Sequence, residues 1–362
     1  MRHLLQDNLT WLEKVASQHE YVLFQPTWAD PLDLASTSRI QLLECPGVPR
    51  QRPGRVLYEQ LVYPALIHRA AVDVFLGFNS VLPLRLRIPS VVVMQALQYF
   101  DFPQIYSWPN LVYLRTIVPW TIRKATRIIA LSEISKETIV AHCGIDADRI
   151  RVVYHGLPSA VLQQREAESD EWSHHLVRSV VGDRPYILCV SSFYWHKNLP
   201  RLVEAFALLK RRPIPHALLL IGADSPKVTR RRLLDLAAQL GVADSVICPG
   251  VVPHPLIPAF YRSASAMVMP SLYETFGLPV LEAMSCGCPI VTSHMGTMAE
   301  VAADCAVLVD PYSVESIADG MTSLLQDAGR RERLVEQARV RARAFTLEAQ
   351  ALGYARVLEE AA

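Results

Sequence analysis

Apolar positions along the chain alternate between two periods. Leu9, Leu12, Val15 and Ala16 fall at helical spacing, with Trp11 beside them, and predict a helix over 8–17; residues 21–25 then read as a buried strand. A second strand is expected over 39–44. Residues 56–71 predict one long amphipathic helix that carries Leu57, Leu61, Leu66 and Ile67 inward around Pro64 and runs into a strand at 73–77. The run 89–94 is β-branched and bounded by proline, as expected of a strand covered on both faces. Helix 111–126, strand 127–131, a helix opened by Ser132 as N-cap, and strand 151–154 continue the alternation.

Between Pro158 and Asp183 the chain turns polar and loses its period, which predicts an inter-domain connection. Alternation then restarts with strands at 186–190, 217–221, 246–248, 266–269, 289–292 and 306–309. Helices are expected between them at 199–211, 229–240, 255–263 and 279–286. Residues 313–362 are helical in pattern and rich in Arg and Glu. The fold class that follows is α/β, two doubly wound parallel-sheet domains, with 1–165 as the first, 166–184 as linker, 185–345 as the second and 346–362 as a terminal helix.

Composition narrows the classes of function. A chain of 362 residues exceeds what one hydrophobic core organises, and 51% hydrophobic against 20% charged residues excludes whole-chain disorder. With 36 basic against 35 acidic residues, there is no global electrostatic case for a nucleic-acid partner. The seven cysteines form no Cys-x-x-Cys pair and no zinc-finger spacing, so they read as reduced, packed thiols of a reducing compartment with no metal role. Met1-Arg2-His3 leads directly into polar Gln6-Asp7-Asn8, without the apolar run of a secretory leader. No stretch approaches the roughly 20 apolar residues of a membrane span. A soluble cytoplasmic protein is the expectation.

The densest chemical signal is the stretch from Pro270 to Met284. Glu274 lies in a loop just after a buried strand, and Glu282 lies inside the first turns of a helix opened by Pro279. Phe276-Gly277-Leu278 therefore offers backbone N–H groups at a helix N-terminus, where unsatisfied donors and the macrodipole favour a phosphate. Carboxylates on either side of such a site suit acceptance of sugar hydroxyl hydrogen bonds. The plainer alternative is a loop-to-helix junction with an acidic residue favoured by the dipole. Lys197, after strand 186–190 and before a helix, is placed to act as a point charge on phosphate; a solvated loop lysine is its alternative.

These residues match the Glu-x7-Glu signature, and the chain resembles family-4 retaining glycosyltransferases of the GT-B fold. The resemblance extends through Arg127 to Glu133, Arg149 to Gly156, His196-Lys197-Asn198-Leu199, Ile221-Gly222 and Cys286 to Val291, in the order such enzymes show. It implies that Glu274 contacts the donor hexose, that Glu282 holds the nucleotide ribose hydroxyls, and that the Phe276, Gly277 and Leu278 backbone and Lys197 hold the diphosphate. It also implies no cofactor or metal and a nucleoside diphosphate sugar donor. GDP-mannose is preferred, because Lys197-Asn198 resembles mannosyltransferases more than UDP-glucose enzymes. The acceptor is expected to be a glycan or lipid-linked hydroxyl bound on the N-terminal side, and the terminal helix is expected to cross back to that domain.

Four departures from the pattern stand out. Ser192 and His196 occupy positions where many relatives carry arginine. Gln95-Ala96 stands where relatives carry a His-Asp pair, so Gln95 cannot shuttle protons. His155 is a candidate acceptor-side or cleft residue, with a structural loop histidine as the alternative. Relatives also begin with a strand and a glycine-rich loop ahead of the first helix, so the N-terminal sheet is expected to lack its central strand. Tyr99, Phe100, Phe102, Tyr106 and Trp108, with Trp120, Arg115, Arg123 and Lys124, form either a peripheral membrane patch or core. The rival functional readings are a nucleotide-sugar epimerase or hydrolase of the same fold and a non-catalytic sugar-nucleotide-binding or partner subunit.

Overall fold

The computed structural model describes residues 2–30, 32, 39–78, 80–83, 85–95, 97–166 and 171–362. The chain forms two compact units: residues 1–158 together with 346–362, and residues 159–345.

In the first unit, β1 (Tyr21–Pro26) and β2 (Ile40–Cys45) pair in parallel as a two-stranded sheet. β3 (Phe75–Gly77), β4 (Ser90–Met94), β5 (Arg127–Ala130) and β6 (Ile150–Val152) form a separate parallel sheet in that order. As expected, no central strand joins the two sheets among the described residues, and β1 and β3 are each sheet edges. The long helix expected over 56–71 is two helices, Arg52–Leu61 and Tyr63–Arg69. Pro64 lacks the N–H needed to continue the first helix, and its ring collides with the carbonyl one turn back, so the chain restarts at Tyr63. Ile67 is buried as expected, but Leu57 and Leu61, which lie on the helix before the break, are exposed.

The aromatic stretch mostly packs inward. Tyr99 is fully buried, with Phe100 and Tyr106 against the same core as Val92, Ile122 and Ile128, whereas Trp108 is exposed.

The terminal helix Leu347–Glu359 belongs to the first unit and packs on the helix Arg2–Val15. The Gly156 N–H donates to Gln350 Oε1 at 2.7 Å, which orients the amide so that its Nε2 donates to His155 Nδ1 at 3.1 Å. Nδ1 is thus an acceptor and the buried ring is neutral, consistent with burial lowering its pKa to about 4. At Gly156 a Cβ would lie 2.5 Å from Leu347 N and 2.6 Å from its Cα, so only glycine lets the helix seat there.

The second unit holds one six-stranded parallel sheet. β7 (Tyr186–Val190), β8 (Ala217–Ile221), β9 (Val246–Gly250), β10 (Ala266–Met269), β11 (Ile290–Ser293) and β12 (Val307–Val309) lie in the order β12-β11-β10-β7-β8-β9. Every residue of β8, β10 and β11 is buried, because helices cover both faces. Leu199–Leu209 packs with Arg230–Gln239 and Val314–Gln326; Leu278–Ser285 packs with Ile257–Ser263, Gly296–Ala302 and Ala328–Ala342. The connection expected over 166–184 contains the helix Glu171–Val181, which packs on Ile257–Ser263, and the second unit begins already at Ser159. Val177 and Val181 are buried there, so a segment that is polar on average still carries a packed face.

The loop after β7 is fastened by one side chain. Asn198 adopts left-handed backbone at φ 60°, is buried, and its Nδ2 donates to the carbonyls of Pro270 at 3.0 Å and Pro311 at 2.6 Å. Those residues follow β10 and β12, so a single amide ties three strand ends together. Asparagine tolerates left-handed backbone better than most residues.

Three outcomes are expected. Gly156→Ala lowers stability by about 1–3 kcal/mol in thermal or urea unfolding, because backbone rather than a flexible side chain must give way. Asn198→Ala costs about 1–3 kcal/mol by stranding buried carbonyl partners, and Asn198→Gly, which relieves only the backbone conformation, recovers part of it. His155 binds its proton more weakly when folded than the ordinary histidine value near 6.5, so its contribution is complete above about pH 6.5 and is lost as pH falls toward 4. Unfolding midpoints compared at pH 7 and pH 5 should show a drop that His155→Gln makes smaller.

Candidate active site

In the second unit the winding reverses between β7 and β10: the chain proceeds outward to β8 and β9 on one side and to β11 and β12 on the other. Loops leaving adjacent strands at such a point diverge and leave a crevice beyond their carboxyl ends. Lys197 and Glu274 come from those two loops. Lys197 ends the short turn Trp195–Lys197 after β7, and Glu274 lies five residues beyond the end of β10. The Lys197 Nζ donates to both Glu274 oxygens, at 2.6 and 2.8 Å, with side chains 13% and 10% exposed. Hydrogen bonds to backbone carbonyls hold both loops: Leu272 N–H donates to the His196 carbonyl at 2.7 Å, and Thr297 Oγ1 donates to the Glu274 carbonyl at 2.6 Å.

The chain then enters the helix Leu278–Ser285 through Gly277, at φ 94°, with Pro279 in the first turn. Glycine is required there by the backbone angle and not by crowding, since an added Cβ would meet nothing nearer than Met298 Cγ at 3.5 Å. Leu278 lies at the helix N-terminus expected from the sequence, with Gly277 as N-cap and Phe276 buried just before it.

Glu282 follows one turn on, with its side chain 7% exposed. His254 Nε2 lies 3.1 Å from Oε1, and Tyr261 OH donates to Oε2 at 3.2 Å. An ionised carboxylate only accepts, so His254 carries a proton on Nε2. Burial, together with the adjacent carboxylate, raises the Tyr261 phenol well above its usual range and keeps it a donor. Neither His254 nor Tyr261 stood out in the sequence, since no spacing links them to Glu282. Thr297 likewise has no spacing that links it to Glu274, and Asn198, although singled out beside Lys197, carried no signal of its bonds to the Pro270 and Pro311 carbonyls.

Of the remaining candidates, Ser192 is exposed near the start of the β7 loop. His196 stacks on Tyr194 with ring centroids 5.8 Å apart, and burial, with Lys197 adding to it, lowers its pKa to about 4. At neutral pH, His196 is therefore neutral beside Lys197. Gln95 and His155 lie in the first unit. Gln95 follows β4, half-buried, its N–H donating to Ser80 Oγ at 2.9 Å; Ala96 lies outside the described residues. His155 is buried against Gln350 as described above, the arrangement of a structural loop histidine. All seven cysteines are free thiols, and among the described residues no cluster of three or more His, Cys, Asp or Glu could hold a metal. Among the described residues no helix is long and apolar enough to cross a membrane.

Two family models account for most of the sequence: "Glycosyltransferase Family 4" matches residues 10–160, and "Glycosyl transferases group 1" matches residues 171–341. The O-antigen chain mannosyltransferase B of Escherichia coli is 28% identical over 318 residues, covering 83% of this chain and 78% of that protein. Of three further curated relatives, the chain spans 53–55% of their length. Among solved structures, sucrose-phosphate synthase from Thermosynechococcus elongatus superposes with a TM-score of 0.77 at 20% identity, over 97% of this chain and 91% of that one. The Anabaena protein HepE in complex with UDP-glucose gives 0.70 at 18% identity, over 98% and 95%. Two parallel-sheet units matched in order by these two models, and a shared architecture along the whole chain, place the protein in the family-4, group 1 glycosyltransferases of the GT-B fold.

Proposed function

We propose that the protein is a retaining glycosyltransferase that moves a hexose, with mannose preferred, from a nucleoside diphosphate sugar to a hydroxyl of a glycan or lipid-linked acceptor. The observation that carries this reading is the Lys197–Glu274 pair at the reversal of the sheet, three residues ahead of a glycine-capped helix N-terminus. An ammonium has three donors, and Glu274 takes two of them. The third is free for a diphosphate oxygen, and because Lys197 already neutralises Glu274, the carboxylate does not repel the incoming anion. Glu274 then accepts from a hexose hydroxyl, while the N–H groups at the start of Leu278–Ser285 supply the fixed partial positive charge that an anion needs.

In this reading the bond between sugar C1 and the diphosphate oxygen breaks as the bond from C1 to the acceptor oxygen forms on the same face. The acceptor proton passes to the departing diphosphate oxygen. No protein general base is required, so a glutamine at position 95 is compatible with turnover. The mannose preference rests on Lys197-Asn198 and on the similarity to the mannosyltransferase of Escherichia coli, which the chain covers over 78% of its length.

The test is turnover with GDP-mannose, UDP-glucose and related donors in the presence of lipid-linked or glycan acceptors. Glu274→Ala should lower turnover by about 100-fold or more. Lys197→Ala should weaken binding of the nucleoside diphosphate by about 10- to 100-fold, the range expected when a charge-assisted hydrogen bond is lost. Unchanged nucleotide affinity in Lys197→Ala would remove the diphosphate assignment. Nucleotide binding without turnover of any donor would favour a binding subunit.

A further inference from the structure

We propose that His254 and Tyr261 are positioning residues that hold the Glu282 carboxylate in the one orientation in which it can take both hydroxyls of a ribose. The inference rests on the reading of Glu282 as the ribose contact and adds residues to it that the sequence did not single out.

Three separate elements converge on this carboxylate. His254 opens the turn His254–Leu256 after β9, Tyr261 lies on the helix Ile257–Ser263, and Glu282 lies on the helix Leu278–Ser285. Each oxygen receives one donor: Oε1 lies 3.1 Å from His254 Nε2, and Oε2 lies 3.2 Å from Tyr261 OH. A carboxylate has about four acceptor sites, so roughly one remains on each oxygen. A vicinal diol presents two donors side by side, and this remaining pair fits it.

The donors also satisfy the acid. A carboxylate this deeply buried is stable as an ion only if hydrogen-bonded, and both donors here are polarised toward it. Tyr261 is fully buried and His254 is 37% exposed, so one support is embedded in the core while the other borders solvent. A glutamate side chain has three rotatable bonds. Fixing them before the ligand arrives removes an ordering cost that would otherwise weaken binding. A role confined to burying Glu282 would give the same hydrogen bonds but would not depend on what the ligand presents.

That difference is measurable. Calorimetric titration with GDP and UDP, each also as the 2′,3′-dideoxy analogue, is run on the wild type and on His254→Ala, His254→Gln, Tyr261→Phe and Glu282→Gln, with thermal melting as a folding check. His254→Ala and Tyr261→Phe are each expected to weaken the ribonucleotide about tenfold and leave the dideoxy analogue unchanged. His254→Gln, which restores an N–H at the position of Nε2, should recover most of the loss. Equal weakening of both nucleotides in His254→Ala and Tyr261→Phe would overturn the positioning role. If Glu282→Gln leaves the ratio between ribonucleotide and dideoxy analogue as in the wild type, the ribose reading itself fails, and this inference falls with it.

Discussion

The reversal of winding between β7 and β10 is the constraint on which the rest of the second unit depends. Both strands are central, and their loops leave from the same edge in opposite directions, so no connection covers the gap between them. Whatever occupies that gap must be made by the loops themselves. Asn198 ties the β7 loop to the chain after β10 and β12, and the Leu272–His196 backbone bond draws the two loops together. With the loops fixed, Lys197 and Glu274 meet without any helix or strand between them. Their pairing is a product of topology before it is a product of chemistry.

Two carboxylates sit low in this unit, and they are stabilised differently. Glu274 is matched by a permanent cation, so the pair is nearly neutral and its remaining lysine donor can serve a further anion. Glu282 accepts from a phenol and an imidazole, so it retains most of its negative charge and hydrogen-bond capacity. One acid is balanced by charge and the other by hydrogen bonds. That division suits a ligand whose middle is anionic and whose ends carry hydroxyls. Under the proposed function, it lets a chain with almost no net charge bind such a ligand through one local site.

Much of the second unit was legible because its strands are buried on both faces. Ala217-Leu218-Leu219-Leu220-Ile221 and Ala266-Met267-Val268-Met269 are continuous apolar runs that leave little else to be. Gly277 and Pro279 marked a helix start by local rules alone, and the structure begins the helix there. Long-range partnerships were not legible: nothing in His254-Pro255-Leu256 signals a glutamate 28 residues further on. The first unit was read less well. Its broken helix hinged on Pro64, and Leu57 and Leu61, expected to face inward, are exposed. Composition placed a linker over 166–184, but average polarity conceals the apolar stripe of Glu171–Val181.

The seating of Leu347–Glu359 against Gly156 and His155 makes the first unit discontinuous in sequence. Gly156 and Gln350 are 194 positions apart, with the whole second unit strung between them. On the ribosome the second unit can therefore close before the first, although it is made later. The N-terminal sheets must wait, partly uncovered, for residues 347–359 to emerge, and the loop-closure entropy of that step falls on an already compact insert instead of on free chain. The helix Leu347–Glu359 thus completes the unit whose other residues are made first.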